Sequence, residues 1–384
     1  MDFALTADQS QLRAQIIEFA RRQLNTRVRE RDRAAEFDRA GFRACAEMGL
    51  LGLALPEAFG GLGLDCTSSM VAMEALGYGA EDQGLAFAVN TQLWTCALPI
   101  YRFGTPAQHS QWLHRLVSGD AIGGHASTEP NAGSDVFAMS TRAEKIDGER
   151  WKLNGSKTFV SNGPLADVLI VFAKTGGERK GFGAAITAFL VETTAPGVER
   201  GRPIEKMGLK TSPIGELRLD DVIVEDSARL GKVGGGQAVF GSEMEWERSC
   251  LFACHLGAME RQLERVVEHA KNRQQFGMTI GSFQAVSHRI AEMKMRIEVG
   301  RQMLYKVAWM KDTNQRAVME AAIAKLYVSE AYVASSLDAV RVFGGYGYCA
   351  EYDVERMMRD AVGSVLYSGT SDMQRNIIAR WLGL

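Results

Sequence analysis

The chain has 384 residues, 44 Lys plus Arg against 46 Asp plus Glu, a formal charge of -2 and 46% hydrophobic residues. That length allows one large domain or two to three smaller ones around a sizeable core. The near-zero charge leaves no general attraction to nucleic acid or anionic lipid, which disfavours a polyanion-binding role.

The opening MDFALTADQSQLRAQIIEF carries acidic and polar residues where a signal peptide needs a basic start and an unbroken apolar run. No apolar run elsewhere is long enough to span a bilayer. The six cysteines, Cys45, Cys66, Cys96, Cys250, Cys254 and Cys349, show no CxxC pairing. They read as small core residues of a reducing compartment, so the expected location is the cytoplasm. Thr6 and Gln9 have capping-box spacing and open a helix whose Leu12, Ile16, Ile17, Phe19 and Leu24 form one apolar side. Its packing partners are expected in DRAGFRACAEMGLLGLAL and SSMVAMEALGYGA, with PEAFGGLGLD as the turn between them.

From about Ala121 to Val224 the pattern changes to short runs rich in Val, Ile, Phe and Thr. Asp147-Gly148 and Asn154-Gly155 are both hairpin signals, and VLIVFA, AAITAFLVE and LRLDDVIVE read as strands, so a small all-β domain is expected between helical ones. After GKVGGGQ the chain is helical to its end, in long amphipathic stretches broken at RQQFGMTIGSFQ, KDTNQ, FGGYGY and VLYSGTSDMQR. Four such segments predict a helical bundle. There is no internal repeat and no low-complexity tract.

The six histidines, His109, His114, His125, His255, His269 and His288, form neither HExxH nor a Cys/His cluster at ligand spacing, so no metal site is expected. GxGxxG after a strand, GxxxxGK[ST] and GxSxG are all missing as well. Three glycine-bearing stretches remain: STEPNAGSD (127–135), RQQFG (273–277) and FGGYGY (343–348). Each combines backbone that a ligand can approach closely with hydroxyl, amide or guanidinium donors, as a phosphate-bearing cofactor requires. Singly, each reads at least as well as loop punctuation.

Taken together and in this order, the stretches resemble the acyl-CoA dehydrogenase family of flavoproteins over essentially the whole chain. The matching residues are PEAFGGLGLD in the first helical part, STEPNAGSD and KTFVSNG in the middle, and RQQFG, FQAVSHRIAEMK, FGGYGY and SGTSDMQR in the last. The resemblance implies an N-terminal α-helical domain (1–118), a middle β-barrel (119–228) and a C-terminal four-helix bundle (229–384), assembled as a homotetramer or homodimer. It implies FAD between barrel and bundle. Matched residue by residue, Thr128, Ser134, Phe159 and Ser161 border the flavin. Arg273, Phe276 and Gln284 match contacts made to FAD from a neighbouring subunit, and Gly344, Gly345, Thr370 and Asp372 match further contacts to it. Arg273 can offer a bidentate fork to a pyrophosphate. For any one of these residues a helix-end cap or turn is the competing role.

In many members of the family the position of Ser368 holds the glutamate that removes the α-proton of the acyl thioester. A serine cannot do so without a base beside it, so the loop is expected to hold the cofactor while the base lies elsewhere. A second branch carries its glutamate on the first long helix of the C-terminal domain. Here Phe240, Met244, Glu247, Leu251, Cys254 and Ala258 follow helical spacing and predict one apolar stripe interrupted only by Glu247. Desolvation there would raise the Glu247 pKa toward the range of a general base. The alternative is a buried ion pair, or a helix turned so that Glu247 meets water beside Glu243 and Arg248. The WER match and the missing glutamate at 368 select Glu247 as the base. Ser134, Arg248 and Ser368 are the expected substrate contacts.

WERSCLFACHLGAMERQLE and YSGTSDMQ further resemble family members that oxidise carrier-protein-tethered substrates in natural-product biosynthesis, prolyl groups among them. The implied reaction is oxidation of a thioester-bound acyl or aminoacyl group, with an electron-transfer flavoprotein or oxygen as acceptor. Two alternatives stand beside it: a conventional acyl-CoA dehydrogenase of the helix-glutamate type, and a non-dehydrogenase relative that binds nucleic acid, which would need a basic face.

Overall fold

The computed structural model describes residues 4–179 and 183–384. Seven helices come first: α1 (Ala7–Gln23), α2 (Val28–Ala34), α3 (Arg39–Glu47), α4 (Cys66–Gly79), α5 (Gln83–Gln92), α6 (Leu98–Phe103) and α7 (Pro106–Val117). The capping box at Thr6 and Gln9 forms, with the Gln9 N–H donating to the Thr6 hydroxyl at 3.2 Å and the Thr6 N–H to the Gln9 amide oxygen at 3.1 Å. The α5 and α6 helices are joined by a π-helical turn, Leu93–Ala97.

The middle of the chain folds into β1 (Gly123–Ala126), β2 (Arg142–Lys145), β3 (Arg150–Ser161), β4 (Val168–Arg179), β5 (Gly183–Glu192), β6 (Val198–Arg200), β7 (Ile214–Glu225) and β8 (Arg229–Leu230). The ladder runs β6-β7-β3-β2-β4-β5-β8, with β1 parallel to β4. Trp151 on β3 and Phe189 on β5 are not ladder neighbours, yet their rings meet edge-on at 5.6 Å. The sheet therefore curls around a core of its own, as expected of a barrel. Among the described residues, no ladder joins β6 to β8.

Asp147-Gly148 forms the β2–β3 turn as expected, but Asn154-Gly155 does not turn the chain. It lies inside β3 at a register shift, where Gly155 has φ +150° and a Cβ would strike Thr141 at 2.4 Å. The dipeptide is a bulge because the Asn154 side chain pairs with β7 instead, donating to Asp221 Oδ1 at 2.8 Å and accepting the Asp221 N–H at 2.9 Å.

The C-terminal part comprises α8 (Gly236–Trp246), α9 (Phe252–Asn272), a short hairpin of β9 (Gln274–Gln275) and β10 (Met278–Thr279), α10 (Gln284–Asp312), α11 (Val318–Phe343), α12 (Val354–Val362) and α13 (Ser371–Trp381). The bundle is built from α9, α10, α11 and α13, and α4 lies against α9. Two glycines set that approach: a Cβ on Gly77 would lie 1.8 Å from the Cys254 carbonyl oxygen, and one on Gly257 would lie 1.9 Å from that of Glu74. They fix α9, and with it the segment carrying Glu247, against the first domain. Five of the six cysteines are buried, whereas Cys349 is exposed after α11 and not in the core as expected. No described helix is long and apolar enough to cross a membrane.

The stripe expected along α8–α9 needs correction. A second π-helical turn, Glu247–Leu251, separates the two helices and breaks the 3.6-residue spacing. Phe240 is only half-buried, and from Ser249 to Met259 every residue is buried, so this stretch has no exposed face to contrast with a stripe.

Candidate active site

Glu247 opens the π turn and is 5% exposed. Burial pushes its pKa up to about 7, against the opposing pull of the Arg248 guanidinium, the Ser368 hydroxyl and the Lys325 ammonium. Among the described residues no Lys or Arg forms an ion pair with it, and its Oε2 has no hydrogen-bond partner. The alternatives of a closed ion pair and of a solvent-facing carboxylate both fail. Lys325, on α11, is itself buried without a hydrogen bond to its Nζ, and burial lowers its pKa to about 8.

The loop before α13 faces this carboxylate. Arg248 Nε donates to the Ser368 carbonyl oxygen at 2.9 Å and Gln374 Nε2 to the same oxygen at 3.2 Å, holding Ser368 at φ 58°. Arg248 thus grips the loop, while burial lowers its pKa to about 10. The Ser368 hydroxyl is buried near enough to Glu247 to pull its pKa down, though outside full hydrogen-bond geometry, and among the described residues no protein acceptor takes the Ser368 N–H. A serine with no base of its own is no proton acceptor. Its free N–H is the group that can polarise a carbonyl.

Sequence reasoning missed a second carboxylate. Glu243, on α8, is 1% exposed, neither of its oxygens has a hydrogen-bond donor, and burial together with the Glu247 charge pushes its pKa well up. His125 Nδ1 on β1 stands 3.9 Å from Glu243 Oε2, and burial of that imidazole pushes its pKa down to about 4. Helical spacing could have found Glu243, because it lies four residues before Glu247 on the same face. The first π turn meets the end of α8 here as well, Trp94 stacking on Trp246 with ring centroids 5.5 Å apart and planes 13° from parallel.

The residues matched to cofactor contacts fall into two groups. Near the barrel rim, Glu129 pins the STEPNAGSD loop by accepting the Thr141 N–H at 2.9 Å and the buried Lys157 ammonium at 2.9 Å. The Thr158 N–H donates to the Thr128 carbonyl at 2.9 Å, Ser134 is exposed and Ser161 half-buried. Phe159 projects its ring 61% exposed from a backbone at φ 55°. An exposed aromatic on left-handed backbone has no reward within the chain, so the rim fits a flat ligand that covers it.

The second group stands at the far end of α9. Arg273 lies 26 residues beyond Glu247, roughly 39 Å along the helical run at about 1.5 Å per residue. Among the described residues it has no carboxylate partner, and its guanidinium sits 5.5 Å over the Tyr346 ring. Phe276 is 93% exposed at φ 53°, and Gln284, the first residue of α10, is exposed. Gly344 at φ 61° and Gly345 both face space that a Cβ would enter freely. An unpaired fork beside open backbone fits a diphosphate. Thr370 and Asp372 have work inside the chain: the Thr370 hydroxyl caps α13 by accepting the Met373 N–H at 3.3 Å, and exposed Asp372 pairs with Arg375 at 2.8 Å.

The comparisons agree along the full length. Residues 6–120, 124–222 and 234–383 match the N-terminal, middle and C-terminal domains of acyl-CoA dehydrogenase. An L-prolyl-[peptidyl-carrier protein] dehydrogenase of Pseudomonas fluorescens is 43% identical over 385 residues, covering 100% of both chains. The crystal structure of the prolyl acyl carrier protein oxidase AnaB superposes with a TM-score of 0.96 at 42% identity, covering 99% of this chain and 100% of that one. PigA, solved with FAD and proline, gives a TM-score of 0.97 at 38% identity over 100% of both. The chain belongs to the acyl-CoA dehydrogenase family.

Proposed function

We propose that this protein is an FAD-dependent dehydrogenase that oxidises a prolyl group held as a thioester on a carrier protein, with Glu247 as its base. The observation that carries the reading is Glu247 itself, a buried carboxylate that no described Lys or Arg pairs with, raised to about 7 beside a loop whose N–H is free. The relatives at 38 to 43% identity support the substrate class.

Bound FAD supplies the two-electron acceptor. The chain does the rest: the Ser368 N–H polarises the thioester carbonyl, Arg248 and Gln374 hold that peptide in place, and Glu247 takes the proton from the adjacent carbon. A pKa near ambient pH suits Glu247 both to be ionised before the transfer and to keep the proton after it. Thr128, Ser134, Phe159 and Ser161 hold the flavin end. Arg273, Phe276, Gln284, Gly344 and Gly345 hold the diphosphate and adenosine end of a second copy's FAD, since Arg273 lies roughly 39 Å from Glu247 along the helical run of its own chain. The protein therefore works as a homodimer or homotetramer, and six free thiols suit a reducing cytoplasm.

The test is to add prolyl-loaded carrier protein, prolyl-CoA and straight-chain acyl-CoA to the purified yellow enzyme and follow bleaching of its flavin absorbance. Bleaching with the loaded carrier is expected. Bleaching with acyl-CoA alone would make it a conventional acyl-CoA dehydrogenase.

A further inference from the structure

Glu243 is an expense that the proton transfer leaves unexplained. Its side chain is fully buried, and the nearest basic atom, His125 Nδ1 at 3.9 Å, is beyond hydrogen-bond reach. With its pKa pushed to about 4 by burial, that imidazole carries no charge at neutral pH. Among the described residues, the other groups whose charge or thiol faces Glu243 are Glu247 from the helix and Cys96 from the first π turn. None of them offers a cation. A dry, unpaired carboxyl is disfavoured unless something arrives to meet it.

Glu243 and Glu247 stand one turn apart, just where α8 gives way to the π turn, and four-residue spacing sets their side chains on one face. A substrate whose α-carbon rests against Glu247 places the substituents of that carbon within a side chain's length of Glu243. In a pyrrolidine-2-carbonyl group one of those substituents is the ring nitrogen. We propose that Glu243 is the binding residue for the substrate's amino nitrogen, taken as an ammonium or N–H donor, and that it selects aminoacyl groups over carbocyclic or straight-chain acyl groups. This rests on the prolyl reading. No bond to nitrogen is made or broken at Glu243.

The test compares the FAD-loaded wild type with Glu243→Gln and Glu243→Met. Calorimetry measures binding of two unreactive ligands, the prolyl and cyclopentanecarbonyl amides of aminopantetheine, in which NH replaces the thioester sulfur, and flavin bleaching measures turnover of the matching pantetheine thioesters. The wild type is expected to prefer the prolyl member of each pair by about tenfold or more, the scale of one charge-assisted hydrogen bond, and both variants to lose most of that preference. Glu243→Met, which removes a lone carboxyl from the core, should melt no lower than wild type. Retained preference, or equal losses on both members of a pair, overturns the assignment, as does a marked fall in melting temperature of both variants, the sign of a structural role. A wild type that bleaches with no prolyl thioester at all shows instead that the functional reading has failed, and the proposal falls with it.

Discussion

The two ends of the α8–α9 run solve opposite problems. At the Glu247 end the chain strips water from a carboxylate and leaves it unpaired, so that burial alone lifts its pKa to about 7. At the Arg273 end it keeps a guanidinium exposed, and among the described residues without a carboxylate partner, beside two open glycines, so that charge remains available to an anion. One end tunes a proton affinity and the other stores an attraction. Burial would ruin the second as surely as solvent would ruin the first.

The largest effect expected on this contrast comes from Glu247→Gln, which keeps shape and removes the proposed base. Substrate-dependent flavin reduction should fall roughly 10²- to 10⁴-fold while fold and FAD content persist. Near-normal reduction by this variant would erase the division of labour. On the same background, Ser368→Glu returns a carboxylate to the loop, and partial rescue would place both positions on one proton.

At the other end, Arg273→Ala should weaken FAD retention by about 1.5–3 kcal/mol, roughly 10- to 150-fold, measured by equilibrium dialysis. The Glu247 pH profile should not move. A shifted profile would mean the two ends are coupled.

That profile is the third expectation. Only ionised Glu247 accepts a proton, so flavin reduction should fall about tenfold per pH unit below about 7 and level off above it. Stability follows with a definite sign. Burial raises Glu247 from 4.5 to about 7, so between those values the folded protein holds a proton that the unfolded chain has lost. Its contribution is fullest below about 4.5 and is lost as pH rises toward 7. Glu247→Gln should flatten that decline in denaturant midpoints. The smallest effect belongs to Ser368→Ala, whose hydroxyl is a spectator: reduction should stay within about tenfold, roughly 1.4 kcal/mol of barrier.

Legibility in the sequence followed the range of the forces involved. The cap at Thr6, the turn at Asp147-Gly148 and the helix breaks after α9, α10 and α11 rest on neighbours in the chain, and they read correctly. Asn154-Gly155 misled because its amide found Asp221, 67 residues away, and no local rule contains that partner. Glu247 was singled out because a family match and a missing glutamate converged on it, and the structure shows it buried and unpaired. Glu243 was assigned only to a possible wet face, since its burial depends on β1 and the Leu93–Ala97 turn closing over it. Neither π turn was foreseen, because nothing in LWTCA or ERSCL differs from ordinary helix-forming sequence.

The π turn at Glu247–Leu251 makes helix phase a discrete variable of this enzyme. A π turn is an α-helix with one residue too many. Deleting one residue there would restore regular hydrogen bonding, yet α9 is clamped by Gly77 and Gly257 and cannot turn in response. The upstream helix would have to rotate by about 100° and retract by about 1.5 Å. Trp246 would leave its stack with Trp94, and the Glu243 carboxyl would swing away from His125. A single-residue gap in this stretch would then re-aim the site more thoroughly than replacement of any one side chain, and a one-residue insertion elsewhere in α8 could undo it. Chains related to this one by such gaps, more than by substitutions, are where a different chemistry should be sought on the same fold.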